Sequence, residues 1–165
     1  VYKRQIMAPM VNTYEEALNI VQSSKYPPNG VRGAGFGFAH DNYKNESPLS
    51  YINKANSNLI NIIQIESKQA LENVEEIAAI DGVDCLWVGH FDLTNFLGIP
   101  GQFSSEIYLN AINRVVTAAK LNKKSLGIMV NNRDELKMYS NLGFNMIAVG
   151  TEMSILSRSI SQILQ

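Results

Sequence analysis

The stretch Leu59-Ile60-Asn61-Ile62-Ile63-Gln64-Ile65-Glu66 is apolar at consecutive positions rather than alternate ones. A run of that length and texture fits a strand covered on both faces, as parallel strands are. Helical spacing follows from about Lys68 to Ile80, with Leu71, Val74, Ile77 and Ala78 directed inward and a stop at Asp81-Gly82. The same alternation extends in both directions. Strand-length runs recur at Ile6–Val11, Cys85–Gly89, Leu126–Val130 and Met146–Gly150. A helix opens at Thr13, where Glu16 completes a capping-box spacing, with Ala17, Leu18 and Val21 on one face. Another starts near Ser104 and carries Ile107, Ala111, Ile112, Val115, Val116 and Ala119. A third spans Asn132 to Leu142 and ends at Gly143, and the last spans Thr151 to Leu164 with Leu156, Ile160, Ile163 and Leu164 in one stripe.

Helices between successive strands imply parallel pairing through right-handed crossovers, hence an α/β fold. Two architectures satisfy that pattern. A (β/α)8 barrel of roughly 250 residues uses about 31 per unit, so five units need about 155. The chain has 165 residues and reads as a partial TIM barrel of about five C-terminal βα units, strands 4 to 8. An open five-stranded sheet of the flavodoxin type is the alternative. No glycine-rich phosphate loop follows the first run, since Pro9-Met10-Val11-Asn12-Thr13 cannot cradle a phosphate in that way. Lys25 to Asn58 interrupts the rhythm. Its Pro- and Gly-dense opening, Tyr26-Pro27-Pro28-Asn29-Gly30-Val31-Arg32-Gly33, precludes regular structure there and predicts a long ordered loop at the rim of the site.

Composition bounds the function. The 165 residues carry 14 basic and 15 acidic side chains, a net charge of −1 and 45% hydrophobic residues, enough apolar mass for a core. Without a basic excess, nucleic acid is not an expected partner. One cysteine cannot form a disulfide within the chain. No run of eighteen apolar residues spans a bilayer and no signal-peptide pattern is present, so a cytoplasmic location is expected. The chain begins at Val1 and enters an apolar run almost at once, which suggests a piece of a longer protein. Residues 1–5 are set apart as an N-terminal extension, and residues 6–165 are read as a single domain.

Binding sites of parallel α/β folds lie at the C-terminal ends of the strands. Glu66 ends the second run and Asp92 follows the third. On neighbouring strands, about 4.8 Å apart, two carboxylates repel by roughly 3 kcal/mol at an effective dielectric near 20. Such a pair shares a proton or binds a cation, and two hard oxygen ligands suit Mg²⁺ or Mn²⁺. Two solvated loop acids with capping duties are the plain alternative. Gln64 shares the face of Glu66 and needs a hydrogen-bond partner, either a ligand oxygen or neighbouring backbone. His90 shares the face of Asp92 if the strand stays regular past Gly89. It is then a further ligand or proton shuttle, and otherwise a neutral packed imidazole, the reading favoured here. Arg32 could clamp a carboxylate bidentately or lie on the surface. His40 is expected to be exposed and Cys85 to be a small core residue. Gly150-Thr151-Glu152 offers a helix N-terminus, but Glu152 repels phosphate.

Six strings stand in register: Ala8-Pro9-Met10-Val11, Tyr26 to Gly33, Gln64-Ile65-Glu66, Gly82-Val83-Asp84, Val88-Gly89-His90-Phe91-Asp92-Leu93 and Ala148-Val149-Gly150. In order and spacing the chain resembles the HpcH/HpaI aldolase/citrate lyase family from Ile6 to Gln165. The resemblance is to class II pyruvate aldolases of the 4-hydroxy-2-oxoheptanedioate and 2-dehydro-3-deoxyglucarate aldolase type. It implies a (β/α)8 barrel, a divalent cofactor (Mg²⁺, Mn²⁺ or Co²⁺), and cleavage of 4-hydroxy-2-oxo acids to pyruvate and an aldehyde. Carried over, Glu66 and Asp92 match the metal ligands and Gln64 matches the position beside the pyruvate oxygen. Gly89, Phe91 and Asp92 match the stretch at the pyruvate carboxylate, and Arg32 is added as a substrate-binding candidate. Pro is common in the family where His90 stands. The family's general-base His and substrate Arg lie on strands before Ile6. The 165 residues alone are therefore expected to be inactive and to expose apolar strand edges that lead to poor solubility or association, and the full-length protein is expected to be a homo-oligomer. No lysine stands at a strand end to form a Schiff base. A citrate lyase β or malyl-CoA lyase type of carbon–carbon lyase and a non-catalytic open-sheet binding module are the rival readings.

Overall fold

The computed structural model describes residues 4–44 and 46–164. Five strands form one sheet: β1 (Gln5–Ala8), β2 (Ile60–Ile65), β3 (Cys85–Val88), β4 (Ser125–Val130) and β5 (Met146–Val149). All neighbours are parallel and their order in space is their order in sequence. A doubly wound sheet needs a point where the order reverses, and none occurs. The sheet is a half-barrel, with β1 and β5 as its edges.

Helices cover one face. They are α1 (Tyr14–Ser24), α2 (Pro48–Asn58), α3 (Lys68–Glu72), α4 (Val74–Ala79), α5 (His90–Phe96), α6 (Glu106–Leu121), α7 (Arg133–Leu142) and α8 (Glu152–Ile163). Strand alternation sends Ile63, Ile65, Leu86, Val88, Leu126, Ile128 and Val130 into a core with Val74, Ile77, Ala111, Ile112 and Val115. The intervening positions, including Met7, Gln64, Trp87, Gly127 and Met129, face the concave side. Trp87 pairs with Gly127, and its indole occupies the space that a Cβ at Gly127 would need.

The expected starts and stops hold where a side chain enforces them. Thr13 and Glu16 form the capping box of α1, Asn132 caps α7 through the Asp134 and Glu135 amides, and Gly143 ends α7 in a left-handed conformation. Four elements differ from expectation, the first being the strand expected over Ile6–Val11, which runs from Gln5 to Ala8 because Met10 turns the backbone left-handed. The predicted helix from Lys68 to Ile80 breaks at Asn73, whose side-chain amide donates to the Asn12 carbonyl at 2.7 Å. The predicted loop from Lys25 to Asn58 contains α2, begun by Ser47 as cap with Pro48 at the first turn, and none of its residues is buried. The strand predicted through Gly89 ends at Val88, and α5 starts at His90.

The ends of the sheet are sparsely covered. Ile6, Met7 and Val149 are exposed, and α8 buries no residue, leaving Met153, Leu156, Ile160 and Ile163 in solvent. Val1 to Lys3 of the N-terminal extension lie outside the described residues. Gln5 of that segment is the first residue of β1 and pairs with Ile60. No helix among the described residues is long and apolar enough to cross a membrane.

Candidate functional site

Glu66 follows the last residue of β2 and is only 3% exposed. A carboxylate so placed must be compensated, and it is bonded on both oxygens. Oε1 accepts the Met10 backbone N–H at 2.6 Å and Oε2 accepts the Gln64 amide N–H at 2.5 Å. Met10 reaches it because its backbone is left-handed, φ 53°, which turns the end of the β1 segment toward β2. The Gln64 amide thus finds its partner in Glu66 and leaves its second N–H available.

Gly89 lies opposite Glu66 by continuation of the Ile65–Val88 pairing, and its N–H donates to the Ile65 carbonyl at 3.1 Å. A Cβ at position 89 would stand 2.5 Å from Glu66 Oε2 and 2.9 Å from Gln64 Nε2. Glycine is required here by close approach, since its φ of −83° suits any residue. The cradle beside the carboxylate exists because this position carries no side chain.

Asp92 is not on a strand, as the spacing argument assumed. It occupies the first turn of α5, exposed, so the neighbouring-strand distance does not describe the pair. His90 likewise leaves the strand's alternation. It is buried, with ring centroids 4.7 Å from Phe91 and 5.2 Å from Phe103. Burial holds its imidazole below the ordinary histidine range against the opposing pull of Glu135. It is the packed neutral histidine of the plainer reading. Phe91 is exposed at the mouth, 57% accessible.

Gln64, Glu66 and Gly89 are brought together, with Phe91 and Asp92 a few residues along the same connection. Arg32 is not among them. α1 carries the chain from the C-terminal to the N-terminal end of the sheet before Tyr26, so Arg32 emerges at the far end. There its guanidinium stacks 4.6 Å from the Tyr26 ring centroid and lines a cavity of about 520 Å³ with Arg4 and Leu59, the residues preceding β1 and β2. Six strand residues at about 3.3 Å each, or about 20 Å, separate it from Glu66. His40 is exposed in the same cavity wall. Cys85 is fully buried, its thiol pushed up to about 12, and is inert as expected.

Sequence reasoning missed the Met10 amide, Asn12, Ser67 and Asn73, which shape the strand ends around Glu66. No pattern marks a backbone donor, but the polar cluster Asn12, Ser67 and Asn73 beside strand ends was visible. Among the described residues no group of three or more His, Cys, Asp or Glu side chains could hold a metal ion. Among the candidate ligands, Glu66 is the one carboxylate held at the strand end, and Asp92 stands exposed in the first turn of α5. A buried carboxylate that packs against the bare backbone of Gly89 is a hard oxygen donor of the kind a divalent ion takes, with remaining positions left to water and substrate.

Comparison with known proteins is consistent with this geometry. The sequence profile described as HpcH/HpaI aldolase/citrate lyase matches residues 3–159. A hydroxypyruvate/pyruvate aldolase of Delftia acidovorans is 36% identical over 154 residues, 93% of this chain and 57% of its own. A 4-hydroxy-2-oxo-heptane-1,7-dioate aldolase of Escherichia coli is 32% identical, with 93% and 58% covered. The chain thus spans little more than half the length of these curated relatives. A crystal structure of a family protein from Burkholderia cenocepacia superposes with a TM-score of 0.92 at 31% identity, covering 99% of this chain and 65% of the other.

Proposed function

Because the chain belongs to the HpcH/HpaI aldolase/citrate lyase family, we propose that it forms the metal- and 2-oxo-acid-binding half of a carbon–carbon lyase acting on 4-hydroxy-2-oxo acids. The observation that carries this reading is Glu66, buried at a strand end and held by the Met10 N–H and Gln64 across from the bare Gly89. In the reaction a base removes the 4-hydroxyl proton, the C3–C4 bond breaks to release an aldehyde, and the pyruvate enolate takes a proton at C3. The demand on the protein is to hold negative charge on the 2-oxo oxygen. Glu66 and Asp92 would hold a divalent ion (Mg²⁺, Mn²⁺ or Co²⁺), which when bound supplies Lewis-acid stabilisation of that charge. Gln64 has a second N–H to give to the substrate. The first amides of α5, at His90 to Asp92, have no intrahelical acceptor and lie where the carboxylate of the 2-oxo acid is assigned. Phe91 lines the mouth.

Nothing in the described strand ends supplies the proton-transfer base, because His90 is packed away between Phe91 and Phe103. The 165-residue polypeptide is therefore expected to bind Mn²⁺ and pyruvate and to release no pyruvate from a 4-hydroxy-2-oxo acid. Calorimetric titration with Mn²⁺ tests the site: Glu66→Ala should abolish binding, and equal affinity of the two proteins would refute it. A steady-state pyruvate-release assay with Mg²⁺ or Mn²⁺ showing normal turnover would refute the half-site assignment.

A further inference from the structure

Asn12 touches neither reacting position, yet every polar group it has is engaged around Glu66. Its side-chain Nδ2 donates to the Met10 carbonyl at 3.0 Å. Its Oδ1 accepts the Ser67 hydroxyl, on the residue next to Glu66. Its carbonyl accepts the Asn73 amide at 2.7 Å, and its N–H donates to Glu16 Oε2 at 2.6 Å. Ser67 is itself fixed as the cap of α3, accepting the Ala70 N–H at 2.9 Å. The result is a bracket between the ends of the β1 and β2 segments, clamped on the far side by the capping-box glutamate of α1.

Met10 needs such a bracket. A left-handed backbone at a non-glycine residue is strained and persists only where its surroundings impose it. Asn12 grips the carbonyl of that same residue and ties it to Ser67, and the Met10 N–H then faces Glu66 Oε1 at 2.6 Å. Resting on the metal-site reading above, we infer that Asn12 is a positioning residue. It holds Met10 in the turned conformation and thereby fixes which way the Glu66 carboxylate presents its oxygens.

The test uses Asn12→Ala, Glu66→Gln and the double variant of the 165-residue chain, with two readouts. Mn²⁺ titration should show affinity about 10- to 100-fold weaker in Asn12→Ala, the usual cost of losing a group that orients a ligand. Adding Asn12→Ala to Glu66→Gln should change the remaining affinity by no further factor. The Met10 amide proton, shifted downfield by its short bond, should move upfield in Asn12→Ala and in Glu66→Gln alike. Unchanged Mn²⁺ affinity with an unchanged Met10 amide in Asn12→Ala would overturn the inference, as would an equal loss in both backgrounds. If the wild-type chain binds no Mn²⁺, the metal-site reading fails while the amide shift still decides the role of Asn12. Should Asn12→Ala not fold, Asn73→Ala, which removes one bond of the bracket, should give the same changes in smaller measure. No change there would count against the inference.

Discussion

The two ends of the same strands are built differently. At the C-terminal end, Glu66, Gln64, Met10, Asn12 and Ser67 interlock through short hydrogen bonds, and Gly89 leaves no slack beside them. At the N-terminal end, Arg32, His40 and Lys44 surround an open cavity, and the adjoining α2 buries nothing. Dense, fully paired polar structure costs conformational freedom and is retained where geometry matters, whereas open polar structure tolerates change. The contrast supports placing the proposed site at the C-terminal end.

Substitution separates the two ends by size of effect. Ile65→Ala, beneath Glu66 in the fully buried core, should cost about 2–5 kcal/mol in urea unfolding. Leu49→Ala on exposed α2 should cost no more than about 0.5 kcal/mol, and comparable losses would erase the distinction. Gly89→Ala should cost about 1–3 kcal/mol and abolish Mn²⁺ binding, because its Cβ meets Glu66 and Gln64. Gly33→Ala, with nothing within 4 Å, should stay within about 0.5 kcal/mol. A pH effect comes next. His90 has a lowered value when folded, so the unfolded chain binds the extra proton first. Stability is complete above the unfolded histidine value of about 6.5 and declines as pH falls from there through the folded value. Thermal melts of His90→Gln should lose that slope. Arg32→Ala removes a cation–π contact worth about 0.5–1 kcal/mol and should leave Mn²⁺ affinity unchanged.

The sequence conveyed these two ends unequally. Every strand was readable because consecutive apolar residues admit little else, and the caps at Thr13 and Asn132 were readable because a side chain makes them. Glu66 and Gln64 were readable from strand parity. Asp92 was misplaced because Gly89 caps α5 with no side chain and the spacing argument carried the strand past its end, whereas the same glycine favoured the packed reading of His90 over the strand-face one. Arg32 was misassigned because direction along α1, not distance in sequence, determines which end of the sheet a loop serves. Met10 could not be read at all, since its role belongs to a backbone torsion imposed by residues up to 63 positions away, at Asn73.

Trp87 is the sole tryptophan, lying in the recess of Gly127 and level with Gln64 in the strand register. The molecule therefore carries one fluorophore on its inner wall, a layer below the carboxylate. Its emission reports the wetness of that wall with no contribution from the outer surface. Whatever seats itself in the concavity announces its arrival as light.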